Sequence, residues 1–356
     1  MVKALLIHRP DRFEAEEAVA LAEAGGYEVV GSVTQRYLSH AKYGVGSGKA
    51  EEVARAVREK EAKMVLFDAH LNASQAYNLA KLCEVEVKDR EKLILEIFAL
   101  RASTAEAKLQ IELAELSYEL PRAREKVRRA KLGEQPGFFG LGKFQVDVYV
   151  KMLKRQKVTI QKKIAEVRER REIFRYRRER QGYATVAITG YTGAGKTTLF
   201  NRLAGERKAV DAGVFTTLSL TTRGVDFGGR KVLVSDTVGF ISRLPTFLIE
   251  AFKSTLEEVT FSSLVMLLLD GSLPDDLFQL NGRSCYDTLS ELGVPDSRVL
   301  VVVNKCDLVT EEELDAKLGA SGLSDVVRIS AKKGTGMSAL MDAISARLPE
   351  EGLTLQ

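Results

Sequence analysis

The residues Gly190-Tyr191-Thr192-Gly193-Ala194-Gly195-Lys196-Thr197 spell G-x-x-x-x-G-K-[ST], lying between an apolar stretch, Thr185 to Thr189, and a segment predicted to be helical from near Thr198. Glycines at this spacing let backbone N–H groups converge on phosphate oxygens, and a helix N-terminus behind them adds positive potential. In such a loop Lys196 reaches the β and γ phosphates, and the Thr197 hydroxyl offers a hard oxygen to Mg²⁺. The motif alone does not separate adenine from guanine nucleotides.

Base identity follows from two later segments. Asn304-Lys305-Cys306-Asp307 succeeds the apolar stretch Val299 to Val303, and Ser330-Ala331-Lys332 succeeds one ending at Ile329. A carboxylate at Asp307 can accept hydrogen bonds from guanine N1–H and its exocyclic amine. Adenine lacks both donors and would leave the charge unpaired. Asn304 and the Ala331 backbone N–H are expected at the N7/O6 edge, with the Lys305 stem lying across the ring. Together these residues point to GTP and GDP as the bound nucleotides.

Asp236-Thr237-Val238-Gly239 follows the strand-like stretch Lys231 to Val234, with Ser235 between them, and combines a carboxylate for the metal with a glycine N–H for the γ phosphate. Between the loop helix and this strand, Phe215-Thr216-Thr217-Leu218 offers hydroxyls that would reach Mg²⁺ when the γ phosphate is present. Thr217 is taken as the ligand and Thr216 as the alternative, so the expected metal set is Thr197, Thr217 and Asp236. The expected hydrolytic set is Lys196, Thr197, Thr217 and Gly239. Phe240 stands where Ras-like proteins carry a water-orienting Gln, which predicts slow unaided turnover.

Positioning these groups requires a mostly parallel sheet with helices on both faces, and the apolar stretches from Thr185 onward, at Val232 to Val234, Leu264 to Leu269, Val299 to Val303 and Val326 to Ile329, supply its strands. The expected fold is α/β, a P-loop domain over residues 182–350 with a short tail at 351–356. Ahead of it, residues 1–88 read as a small α/β domain with strands at Ala4 to Ile7, Val29 to Val33 and Met64 to Phe67. Residues 89–181 read as a helical hairpin. One helix runs without Pro or Gly from Asp89 to Pro121, with Leu109, Leu113, Leu116 and Leu120 on one face. After a Gly/Pro/Phe-rich break from Gly133 to Lys143, the other helix carries Val146, Leu153, Ile160, Val167 and Phe174 at seven-residue intervals, favouring an intramolecular seam over a dimeric coiled coil.

At 356 residues, 45% hydrophobic and 29% charged, the chain is long enough for two or three cored domains. The longest apolar run, Leu264 to Leu269, is far short of the roughly 18 residues a membrane span needs, and no signal peptide opens the sequence, so a cytoplasmic location is expected. Cys83, Cys285 and Cys306 form no zinc-like or redox-like spacing, and His8, His40 and His70 form no readable ligand set. The net charge of +4 hides an asymmetry: Arg122 to Arg180 holds 20 Lys or Arg against 7 acidic residues, a local +13, leaving −9 elsewhere. Such a run suits RNA phosphates through counterion release, with a solvated helix face or an anionic membrane as the alternative. Gly44-Val45-Gly46-Ser47-Gly48-Lys49 imitates a phosphate loop but is one residue short and lacks the Ser/Thr. A structural turn or an RNA-phosphate contact is favoured there over a second nucleotide site.

Beyond these generic motifs the whole chain resembles the HflX family of translation-factor-class GTPases. The run Asp89 to Pro121 is similar to that family's first linker helix, and Phe215-Thr216-Thr217-Leu218 with Asp236-Thr237-Val238-Gly239-Phe240-Ile241 is similar to its two switches. The resemblance implies a monomeric GTPase that binds the large ribosomal subunit and its RNA through the N-terminal domain and basic hairpin, with a role in ribosome splitting, rescue or subunit maturation. The chain departs from the family pattern at the hairpin tip, Gly137 to Gln145, where many members carry a GPGET-Q-type loop. It departs again at Gly193, where many carry the Asn associated with potassium assistance, so potassium dependence is not carried over. No additional C-terminal domain is expected. The alternative readings are a GTP-gated adaptor at anionic membranes or protein partners, and a nucleotide-stabilised scaffold.

Overall fold

The computed structural model describes residues 1–132, 143–180, 183–205, 221–227, 230–237, 239–241, 247–248, 253–323 and 325–348. The chain divides into two compact units, Met1–Ala165 and Glu166–Gln356.

The first unit opens with β1 (Val2–His8), α1 (Arg12–Ala24), β2 (Tyr27–Thr34), α2 (Ser47–Glu59), β3 (Met64–Phe67), α3 (Ala73–Cys83) and β4 (Glu86–Asp89). The strands form an all-parallel sheet in the order β2-β1-β3-β4. Near-continuous burial of β1 and β3 is what a sheet covered on both faces requires. The three anticipated strands are present; β4, only Glu-Val-Lys-Asp, carries too little apolar signal to be read as one.

The chain continues as α4 (Arg90–Arg101) and α5 (Ala105–Leu132), so the single helix expected from Asp89 breaks at Ala102 to Thr104, where Thr104 Oγ1 accepts from Ala107 N. Pro121 does not end α5, as its type alone suggests, but lies inside it. Leu116 and Ala123 on either side of the proline pack with Leu153 and Ile160 of α6 (Lys143–Arg180), and Arg122 donates to Asp89 Oδ2 and Leu71 O at 2.6 Å each. That anchoring outweighs one lost helical hydrogen bond. The leucine stripe Leu109, Leu113, Leu116 and Leu120 packs intramolecularly on α6, while the side chains of Val146 and Phe174 lie outside the described residues.

The second unit contains β5 (Thr185–Gly190), α7 (Lys196–Leu203), β6 (Thr221–Phe227), β7 (Arg230–Asp236), α8 (Lys253–Phe261), β8 (Leu264–Asp270), α9 (Asp275–Glu291), β9 (Val299–Asn304), α10 (Glu311–Ser321), β10 (Val327–Arg328) and α11 (Met337–Arg347). Its six-stranded sheet runs β10-β9-β8-β5-β7-β6, parallel except for β6, which pairs antiparallel with β7 at the edge. Leu264 to Leu269 and Val299 to Val303 are buried throughout, and α7 and α11 pack on the same core through Leu199, Phe200, Leu340 and Ile344. Parallel strands gather their C-terminal ends on one edge, which brings together the segments after β5, β7, β8, β9 and β10. Among the described residues no helix is long and apolar enough to cross a membrane.

Candidate functional site

The loop after β5 is built by glycines. Gly190, Gly193 and Gly195 have φ of +141°, +80° and +94°, values that other residues rarely adopt. A Cβ on Gly190 would run into the Leu268 carbonyl, and one on Gly195 into Asn304 Nδ2. Gly195 serves as the N-cap of α7 without any side-chain cap, so the helix starts at Lys196, two residues before the expected position. Tyr191 and Ala194 are buried, Thr192 and Thr198 half-buried, and Thr192 N donates to Phe240 O at 2.7 Å.

Lys196 is 7% exposed and folds back over the loop, its Nζ donating to Gly190 O (3.1 Å) and Tyr191 O (2.8 Å). Burial pushes its ammonium down to about 8, against the opposing field of Asp236. Thr197 Oγ1 donates to Asp236 Oδ2 at 3.0 Å, joining the loop to the end of β7. Hydroxyl and carboxylate oxygens side by side form a hard donor pair of the kind magnesium takes. A Cβ on Gly239 would lie 2.7 Å from Lys196 Nζ, so the backbone passes close beside the lysine. The Thr237 hydroxyl is engaged inside the domain, donating to Ile188 O at 2.8 Å. Phe240 is buried and its N donates to Gly190 O at 3.0 Å; its role here is to pin the segment after β7 to the loop. Phe215, Thr216, Thr217 and Val238 lie outside the described residues.

On the base side, Asn304 is 3% exposed and bridges two loops: Nδ2 donates to Ala194 O and Oδ1 accepts from Ala331 N, both at 2.8 Å. Lys305 takes φ +64° and directs Nζ to Asp270 Oδ2 at 2.6 Å. Cys306 N donates to Ile329 O, which ties the turn to the segment after β10. Asp307 faces Ser330 and Lys333; the Ser330 hydroxyl first, and the Lys333 ammonium 3.5 Å from Oδ2, hold its carboxyl below the usual range. Ala331 is buried and Lys332 exposed.

Phosphate-side and base-side residues thus meet at one sheet edge. Two contributors carry no motif: Asp270, which fixes Lys305, and Arg202 of α7, whose Nε and Nη2 donate to Ala331 O and Lys332 O. An acidic residue ending an apolar stretch is the only sequence signal for the first, and the second has none.

Such a sheet, loop and residue set define a P-loop GTPase domain. Residues 13–99 match a family model described as GTP-binding GTPase N-terminal, 101–178 one described as GTP-binding GTPase middle region, and 185–305 one described as 50S ribosome-binding GTPase. The chain is 40% identical to the GTPase HflX of Thermococcus kodakarensis over 97% of its own length and 80% of the relative's. It is 37% identical to the GTPase HflX of Escherichia coli K12, over 98% and 83% respectively. A solved structure of a GTP-binding protein from the hyperthermophilic archaeon Sulfolobus solfataricus, in complex with GDP, aligns over 98% of both chains with a TM-score of 0.52 and 28% identity. The chain belongs to the HflX GTPase family: it binds guanine nucleotide and hydrolyses GTP.

Proposed function

We propose that this GTPase is a nucleotide-gated factor of the large ribosomal subunit, acting in translation, ribosome splitting or rescue, or subunit maturation. The single observation that carries the reading is the match of residues 185–305 to the model described as 50S ribosome-binding GTPase, on a chain that also carries a basic helical hairpin. Lys151, Lys154, Arg155, Lys162 and Lys163 are exposed on α6, whereas Leu153 and Ile160 of the same helix are buried, so phosphates could reach the cations. Functionally the chain divides into an N-terminal domain (1–88), the hairpin (89–181), the G domain (182–350) and a tail (351–356).

Within the G domain, the loop Gly190 to Thr198 holds the phosphates and Lys196 neutralises them. Thr197 and Thr217 would hold Mg²⁺, with the Asp236 carboxylate behind them, and the metal when bound would screen the phosphate charge. The Gly239 N–H faces the γ phosphate. Asp307 reads guanine N1–H and the 2-amino group, Asn304 and Ala331 N–H read the N7/O6 edge, and Lys305, braced by Asp270, lies along the ring. Phe240, the residue after Asp236-Thr237-Val238-Gly239, cannot orient the attacking water, and a ribosomal partner is the proposed source of the missing acceleration. Contributions of that kind are worth about 10³ to 10⁵ in rate.

Co-sedimentation of the protein with purified ribosomal subunits, in GDP and in a non-hydrolysable GTP analogue, tests the reading. Large-subunit binding stronger with the analogue, together with stimulated GTP hydrolysis, is expected. Equal affinity in both states would favour a scaffold, and binding to anionic vesicles in place of subunits would favour a membrane adaptor.

A further inference from the structure

Arg202 sits in the last turn of α7, six residues beyond Lys196, and its side chain leaves the phosphate-side helix for the base-side turn. Nε donates to Ala331 O at 2.5 Å and Nη2 to Lys332 O at 2.6 Å. Gly334, at φ +90°, completes that turn; a Cβ there would lie 2.6 Å from Arg202 Nη1, so the turn is shaped around the guanidinium. A planar fork donating to consecutive carbonyls fixes two peptide planes at once, which a single ammonium cannot do. From the other side Asn304 holds Ala331 N and Ala194 O. The turn carrying Ala331 is therefore gripped at two points, and both grips lead back to the phosphate loop or its helix.

We propose that Arg202 is a positioning residue for base recognition, which acts through the Ala331 and Lys332 carbonyls to hold the turn carrying Ala331, whose N–H is donated to Asn304 Oδ1, at the O6 edge of the purine. It couples the placement of the phosphate helix to the reading of one atom of the base. This assignment rests on the base-site reading given above, and its signature is atom-specific: Asp307 reads the 2-amino side, whereas Arg202 governs only the O6 side.

Equilibrium binding to the full-length protein separates the two, with GDP, IDP (O6 but no 2-amino group) and 2-aminopurine riboside diphosphate (2-amino group but no O6) as probes. Arg202→Ala is expected to raise the dissociation constants of GDP and IDP by a common factor, about tenfold, and to leave that of the 2-aminopurine nucleotide within about twofold. Arg202→Lys, which keeps charge but loses the fork, falls between. A uniform loss across all three ligands, or no loss for GDP, overturns the proposal. Should Arg202→Ala lack a cooperative thermal transition, Arg202→Lys decides by the same pattern. Asp307→Asn in parallel distinguishes the layers: if it fails to move preference from GDP toward xanthosine diphosphate, the base-site reading has failed; if it succeeds while Arg202 variants lose all ligands equally, only the role of Arg202 has failed.

Discussion

Two of the described glycine-rich turns that lead into helices imitate a phosphate loop in sequence, and they differ in how they are equipped for phosphate. Gly44 to Lys49 leads into α2 and Gly190 to Thr197 into α7. In the first, Gly44 has φ +78° and packs on the core, where a Cβ would lie 2.6 Å from Leu71 Cδ2 and 2.7 Å from Phe67 Cζ. The turn is further closed by Gln35, whose Oε1 accepts from Gly46 N, and by Gln75, which donates to His40 O. Lys49 points away and pairs with Glu52 at 2.8 Å in solvent. The acid that follows β3, Asp68, is joined to Arg90 at 2.5 Å, and Glu17 is joined to the same guanidinium at 2.6 Å, a buried cluster in which one arginine serves two carboxylates. In the second turn the lysine is buried over the loop, the acid that ends β7 meets a threonine hydroxyl, and a base-side asparagine contacts the loop backbone. The difference lies in the partners of the lysine and the acid, and the glycines alone do not reveal it.

The largest expected effect contrasts the lysines. Lys196→Ala or Thr197→Ala should lower single-turnover GTP hydrolysis by on the order of 10² to 10³, because each removes a charge or hydroxyl aimed at the phosphates. Lys49→Ala should leave the rate unchanged. Comparable losses at both positions would mean that the N-terminal turn also serves a nucleotide.

A smaller effect follows from protonation. Without nucleotide the Lys196 ammonium titrates near 8, having been lowered by burial; phosphates restore it to the charged form, so binding above pH 8 takes up a proton. Affinity for GDP should therefore fall as pH rises, by about fourfold between pH 7 and 8.5. Titration calorimetry in buffers of different ionisation enthalpy should register the proton uptake, and a flat profile would contradict it. By the same linkage a base lowered by folding leaves the ligand-free domain gaining stability from pH 8 toward 10.5, since the unfolded chain there holds the extra proton.

Gly44→Ala sharpens the comparison from the structural side. It should cost about 1 to 3 kcal/mol of stability in the N-terminal unit, from the left-handed backbone and the contacts with Leu71 and Phe67, while nucleotide affinity stays unchanged. Chemical denaturation paired with GDP binding measures both.

What the sequence made legible was whatever depends on local spacing. A phosphate cradle needs glycines, a lysine and a hydroxyl in a fixed short order, and parallel strands buried on both faces need apolar runs such as Leu264 to Leu269. Two of the four described edge strands, β4 and β6, escaped: β6, Thr221–Phe227, alternates without a sustained apolar face and pairs on one side only. The passage of α5 through Pro121 is set by tertiary packing that outweighs local propensity, whereas the break at Ala102 to Thr104 carries its own local cap in Thr104. Asp270 and Arg202 escaped for a different reason. Each acts on a residue 35 or 129 positions away, and only the topology of the sheet brings the partners together.

The most direct measurement is competitive nucleotide binding to Asp307→Asn. If the segments after β5, β9 and β10 form one guanine site, the variant loses GTP and GDP affinity by on the order of a hundredfold and gains xanthosine diphosphate, whose 2-carbonyl meets an amide donor. Retention of the wild-type preference for GDP over xanthosine diphosphate would show that the base is read elsewhere.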